Sequence, residues 1–323
     1  MEAEVKSVIV VPTIRENNIK QFLTEWKNEF ANHRIIIVED NPTKTFDVGT
    51  ANVEHYSWEE IDKELGKQSW IIPRRTDCIR SYGFLKAYRM KPDFIVTLDD
   101  DCFPNSPQPY FLDEHWSKLV EPEPSSAWVN TLENVFPRGY PYFTSRRKKF
   151  CVLNHGLWNK VPDFDAPSQL YYSRQPTDIA WVDKTIPCGS YFPMCGMNIA
   201  FRPEVTPALY FLLMGKDYEF DRFGDIWSGI IIKKIVDHLG YCISSGKPSI
   251  THLRASNVWT NLKKERTGLE VNEFFWSTVD NVRLKGETFS ACYKEIANNL
   301  TLPGDYWKKL TEAMLAWTEL FAA

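Results

Sequence analysis

Three consecutive carboxylates, Asp99, Asp100 and Asp101, close the run of apolar residues in FIVTLDDDCF (94–103). Like charges this close repel, so something positive must offset them. Residues two apart on a strand point the same way. A strand continued through the acids would set Asp99 and Asp101 on one side and Asp100 on the other. Two carboxylates converging at a strand end can hold a hard divalent cation, and Mg²⁺ or Mn²⁺ can bridge the oxygens of a diphosphate. The plain alternative for a lone Asp-x-Asp is a solvated acidic turn capping a helix. Here the acids follow a buried strand, and two other strands send polar ends the same way, which favours the metal.

Those other strands are SVIVVPT (7–13) and RIIIVED (34–40). Both are continuous β-branched runs, the pattern of a parallel strand buried on both faces. Between them Ile19, Phe22, Leu23, Trp26 and Phe30 recur at helical spacing over 17–30. Helical patterns follow at 57–65 and 78–90, and a third strand at 93–101. Strand alternating with amphipathic helix predicts an α/β fold with a mainly parallel sheet flanked by helices. In such sheets ligands bind beyond the carboxyl ends of the strands. Thr13 and Arg15, Glu39 and Asp40, and the three aspartates should therefore line one crevice. From about 121 to 205 Pro, Gly and aromatics dominate, which reads as irregular loops and short strands around a pocket. Helical periodicity returns at 226–240, with Gly240 as a C-cap, and residues 272–323 read as a helical C-terminal extension of a single domain.

The chain has 323 residues, a formal net charge of −4 and a pI near 5.9. That balance argues against nucleic acid, and the basic run SRRKKF (145–150) reads as a solvated loop. No apolar run reaches the ~18 residues of a membrane span, and the N-terminus lacks a signal-peptide core. Seven scattered cysteines without a CxxC pair fit reduced thiols in a cytoplasmic protein. There is no GxGxxG to hold a flavin.

An Asp-rich strand end behind a βαβ unit resembles the metal-binding motif of nucleotide-sugar glycosyltransferases of the GT-A fold. Longer stretches narrow the resemblance. VVPTIRENNIKQFLTEW, IIIVEDN, VTLDDDCF, FPRGYPYF, HGLWNKVPDFDAPSQL, IPCGSYFPMCGMNIAF and THLRASNVWTNLKKE are similar, in order from about residue 8 to 266, to the reversibly glycosylated polypeptides of plants, the UDP-arabinopyranose mutases. The short interval between Asp101 and residues 128–131 departs from plant members and would suit a prokaryotic relative. The resemblance implies a GT-A-like enzyme that interconverts UDP-arabinopyranose and UDP-arabinofuranose with Mn²⁺ or Mg²⁺ and without flavin. It also implies reversible glycosylation of the protein and a tendency to form homo-oligomers. A glycosyltransferase with its own acceptor, or a non-catalytic UDP-sugar-binding subunit, are the alternative readings.

Roles follow from this resemblance and from the chemistry of the side chains. Breaking and re-forming the anomeric C1–O bond needs a stabilised diphosphate leaving group, and a nucleophile could hold the sugar meanwhile. The resemblance points to Arg138 of RGYP as the glycosylated residue. A guanidinium is a poor nucleophile, so a clamp on phosphate oxygens is its other role. Asp225 and Asp221 in DRFGDIWSG are candidates to assist a sugar hydroxyl or Arg138, although Gly224 stands where a second acid would be expected. Asp99 and Asp101, completed by His252, are the expected metal ligands, with Asp99 and Asp100 also near the ribose. Pro12, Thr13 and Arg15 are placed for uridine or phosphate, and Asp40 for the uracil N3–H. His155, Gly196, Arg254 and Lys263 complete the expected substrate contacts, Gly196 by admitting backbone close to the sugar. Cys195 reads as packing rather than as a nucleophile.

Overall fold

The computed structural model describes residues 5–49, 52–105, 110–125, 135, 137–139, 147–172, 182–253 and 257–322. Within these, the chain runs β1 (Ser7–Thr13), α1 (Glu16–Glu25), β2 (Arg34–Glu39), β3 (Val53–Tyr56), α2 (Trp58–Leu65), α3 (Arg80–Arg89) and β4 (Phe94–Leu98). Then come β5 (Cys102–Pro104), α4 (Phe111–Val120), β6 (Pro122–Ser125), β7 (Arg147–Lys160), α5 (Ala166–Tyr172), β8 (Lys184–Thr185) and β9 (Asn198–Phe201). The last elements are α6 (Gly224–His238), β10 (Cys242–His252), α7 (Val258–Asp280), α8 (Phe289–Asn299) and α9 (Asp305–Glu319).

The main sheet has the order β3-β2-β1-β4-β9-β7-β10-β5. Strands β1 to β4 run parallel, as do β7 and β10, whereas β9 and β5 oppose their neighbours. This is the expected α/β architecture with a mainly parallel sheet. The β-branched runs are buried on both faces because alternate residues serve two cores. Val8, Val10, Ile36 and Val38 join a core with Tyr82, Leu85, Trp227 and Ile296. Ile9, Val11, Ile35 and Ile37 join a second core with Ile19, Phe22, Trp26 and Leu112. Removing these side chains from water stabilises each by ~1.5–3 kcal/mol, and on both faces at once.

Several boundaries differ from the sequence pattern. The first helix stops at Glu25, yet Trp26 and Phe30 stay buried on the turn that follows it. The third strand stops at Leu98, so strand alternation does not reach the aspartates. Residues 147–160, expected within a region of irregular loops and short strands, form one long strand, β7. Its interior polar residues are buried but paired: Asn154 accepts from Ser244 Oγ at 2.6 Å and donates to Lys247 O at 2.8 Å. In the C-terminal part α7 runs unbroken through residue 272, and α8 and α9 bury Tyr293, Ile296, Met314 and Trp317 in the first core.

Candidate active site

Strand register brings the expected polar ends together. Thr13 pairs with Glu39 across β1 and β2, and the Asp40 amide donates to Thr13 O at 2.8 Å. The aspartates leave the sheet beside them, because β4 pairs with the other edge of β1.

The positive charge that offsets the three acids comes from two arginines. Arg15, at the N-cap of α1, donates from Nε to Asp100 Oδ2 at 3.1 Å and closes a fork through Nη2 onto Asp100 Oδ1. The same Nη2 reaches Asp101 Oδ2 at 3.3 Å. Thr13 Oγ1 donates to Asp100 at 2.5 Å and accepts from the Arg15 amide at 3.1 Å. Asp100 and Asp101 thus meet one cation, and the side-by-side split predicted by strand alternation is not found. Asp99 turns the other way, to an ion pair with the buried Arg80. Arg80 is 1% exposed and also donates to Thr97 Oγ1 at 3.0 Å, Gly196 O at 2.5 Å and Asp77 O at 3.2 Å. Burial would raise the Asp99 carboxyl, but the Arg80 ion pair outweighs it and holds it below the usual range. Burial pushes Asp100 and Asp101 up, Asp101 further through its neighbour Asp99.

Asp101 and His252 fit a divalent cation. His252 Nδ1 donates to Val161 O at 2.8 Å, so Nε2 is the nitrogen left to face a ligand. Nε2 lies 3.9 Å from Asp101 Oδ1. Two ligands each about 2.1 Å from one metal span at most about 4.2 Å. Among the described residues no third His, Cys, Asp or Glu joins them in a cluster. Asp99, the other expected ligand, has one oxygen engaged by Arg80.

The floor beside the aspartates is the Cys195–Gly196 segment. The Gly196 amide donates to Asp225 Oδ2 at 2.8 Å, and its carbonyl accepts from Arg80. A Cβ on Gly196 would lie 2.7 Å from the Phe211 ring, so only glycine lets the loop sit here. The Cys195 amide donates to His155 Nε2 at 3.2 Å, and His155 Nδ1 bonds to Ser245 Oγ at 2.9 Å. Burial lowers His155 to about 4, so the ring is neutral. His155, expected at the substrate, fastens the loop from below with both nitrogens engaged.

Asp225 lies in the first turn of α6, where Oδ1 accepts from the Ile226 amide at 2.9 Å. Burial, then the nearby Asp77 and Asp163, push its carboxyl up to about 8, against the pull of the Gly196 amide and Arg80. It can therefore hold a proton near neutral pH and release it, as a general acid or base must. Asp221 is paired with Lys264 at 3.0 Å. The missing second acid at Gly224 has a steric cause: a Cβ there would lie 2.3 Å from Phe211 O and 2.7 Å from Cys78 Sγ.

Asp40 is 4% exposed and accepts from Trp58 Nε1 at 2.7 Å and from the Thr76 amide at 2.9 Å. It therefore shapes the loop before α3 as well as lying at the strand end. Pro12 is half-buried in β1, next to Thr13. Lys263 is exposed on α7. Arg138 is exposed on a turn, and among the described residues no bond ties it to the aspartates. Arg254 lies outside the described residues. Arg80, Asp77 and Asp163 escaped the sequence reading. Arg80 had one signal, being a charged residue in the CIRSYGFLKA stretch, whose residues 80–85 are all buried.

The family model described as "Reversibly glycosylated polypeptide" matches residues 2–323. The chain belongs to the reversibly glycosylated polypeptide family. Relatives include the probable UDP-arabinopyranose mutase 4 of Arabidopsis thaliana, 37% identical over 96% of this chain and 89% of that protein. UDP-arabinopyranose mutase 1 of Oryza sativa subsp. japonica is 36% identical over the same shares of each chain. A Drosophila β1,4-galactosyltransferase 7 mutant, solved with manganese, UDP-Gal and xylobiose, matches at TM-score 0.36 and 12% identity, covering 79% of this chain and 73% of its own. That likeness is too distant to place any residue of the reversibly glycosylated polypeptide described above.

Proposed function

We propose that the protein is a metal-dependent UDP-sugar mutase that interconverts UDP-L-arabinopyranose and UDP-L-arabinofuranose on a GT-A-like scaffold. The observation that carries this reading is similarity to named mutases along 96% of the chain. The acidic corner at the strand ends supports it. Asp101 and His252 would hold the cation, which supplies positive charge to the diphosphate as it leaves C1. Arg15 and Thr13 orient Asp100, and Arg80 fixes Asp99 and the Gly196 carbonyl. Asp225 moves a proton at a sugar oxygen while the ring opens and recloses. Arg138, on its exposed turn, would meet the sugar or the diphosphate. Seven cysteines without a CxxC pair support a reducing, cytoplasmic setting.

The test is incubation with UDP-arabinofuranose and Mn²⁺, with no acceptor, followed by chromatography of the nucleotide sugars. UDP-arabinopyranose should appear, and a chelator should stop it. Asp101→Ala and His252→Gln should lose metal-dependent UDP binding, whereas Arg138→Ala should keep it and lose turnover. Free UDP with hydrolysed sugar as the sole products would favour a transferase instead.

A further inference from the structure

Two of the cysteines touch each other. Cys151 and Cys242 are Cα partners across the parallel strands β7 and β10, and their sulfurs lie 3.0 Å apart. A buried thiol ordinarily packs as a small hydrophobe whose weak donor finds an oxygen. Cys78 and Cys292 do this, donating to Phe211 O at 2.6 Å and Gly286 O at 3.2 Å. Between Cys151 and Cys242 the acceptor is the other sulfur.

The strand geometry fits a covalent link between them. Neighbouring strands lie about 4.8 Å apart, inside the ~4.4–6.8 Å Cα separation that a disulfide bridges. Both sulfurs stand on the same face of the sheet, so closing the bond needs side-chain rotation and no change of register. The register slips immediately afterwards, where Ile243 faces Leu153 and Val152 is passed over. A link at this pair would fasten the two strands just before that irregularity.

Burial selects the oxidant. Cys151 is 0% and Cys242 4% exposed. Phe150, immediately before Cys151, is exposed, and so is Gly240, two residues before Cys242. The thiols therefore lie just beneath the surface. A bulky disulfide such as oxidised glutathione is too large to bring its sulfur to them, whereas hydrogen peroxide is little larger than water. The hydrogen bond from Cys242 holds the Cys151 thiol below its usual range against the opposing effect of burial, which favours Cys151 as the attacking thiolate.

We propose that Cys151 and Cys242 are a peroxide-oxidised, thiol-reducible pair whose disulfide locks β7 to β10. Cys151 loses its proton and attacks one peroxide oxygen. The O–O bond breaks, the sulfur becomes a sulfenic acid, and the departing hydroxide takes up that proton as water. Cys242 Sγ then attacks the same sulfur. The S–S bond forms, the S–O bond breaks, and the hydroxyl leaves as a second water with the Cys242 proton. The two thiols give up two electrons in all, and one peroxide becomes two waters. A dithiol reverses the change by exchange. Cys242 opens β10 and His252 closes it, so the proposal does not rest on the reading of the acidic corner.

The test treats the folded wild-type protein with a small excess of hydrogen peroxide, alkylates it in denaturant and maps its peptides by mass spectrometry without reduction. A peptide pair joined through Cys151 and Cys242 should appear, and dithiothreitol should abolish it. Cys188, the exposed cysteine, reports that peroxide has acted on the chain. Oxidised Cys188 with Cys151 and Cys242 both alkylated would overturn the proposal. A bridge from either of them to a third cysteine would overturn it too. The link closes a long loop in the unfolded chain, so the oxidised protein should melt several degrees higher than the reduced protein. A lower Tm in the fully bridged protein would show that the sheet rejects the link. Cys242→Ala should lose the gain in Tm on oxidation, and a gain kept in that variant would sink the lock. The wild-type map decides the pairing even where the variant folds poorly.

Discussion

Asp225 stands between two backbone amides that favour its charge and an acidic, water-poor setting that opposes it. The second wins, with the folded carboxyl near 8 against an ordinary 3.8. Between those values the native state keeps a proton that the unfolded chain has lost, so Asp225 makes stability fall as pH rises from about 4 to 8, with the full penalty present above 8. Urea unfolding at pH 5 and pH 8 should therefore show a larger loss for the wild type than for Asp225→Asn. Equal losses would mean that Asp225 is ionised throughout. Asp225 itself was legible in the sequence, as an acid opening a helix. Its proton was not, because Asp77 and Asp163, which crowd it, are distant along the chain. The same holds for the cations: Arg15 and Arg80 meet the aspartates across 85 and 19 residues of sequence. Sequence demanded a positive charge at DDD but could not say that arginines supply it.

Elements were legible where their periodicity was clean. β1, β2 and β4 announce themselves because both faces are apolar, and the ends of β1 and β4 do meet, where Thr13 and Arg15 bond Asp100. β7 was hidden because Asn154 and His155 interrupt its apolar run, and the partners that satisfy them come from β10, α4 and the 195–196 loop. The join before α6 shows how tightly elements meet. Gly224 packs against Phe211 O and Cys78 Sγ with no space for a methyl group. Gly224→Ala should cost about 1–3 kcal/mol through overpacking and should shift Asp225 with it. Thermal unfolding and turnover check this together: a variant as stable and active as wild type would show that the loop yields freely.

At the scale of the molecule, the C-terminal helices act as core rather than appendage. Tyr293, Ile296, Leu310, Met314 and Trp317 are all fully buried, against residues as early as Val8 in one continuous cluster. Each contributes about 1.5–3 kcal/mol, and together they rival the ~5–15 kcal/mol that separates folded from unfolded domains. A chain ending at residue 285 should therefore aggregate or unfold. Size-exclusion chromatography checks this: a monodisperse truncated protein with cooperative unfolding would make α8 and α9 a separable extension. Among the described residues no helix is long and apolar enough to cross a membrane.

The shared core also has a consequence for biosynthesis. The Trp317 indole donates to Thr206 O at 3.3 Å, so the last helix seals a wall built far earlier in the chain. Residue 317 leaves the ribosome 111 residues after Thr206. The layer around Trp26 and Leu112 can begin to assemble on the nascent chain, but the opposite layer must wait for α8 and α9 to emerge. Stalled nascent chains ending shortly before α9 should then be cut readily by protease in the α6 region, and chains extended by a linker long enough to clear the exit tunnel should resist.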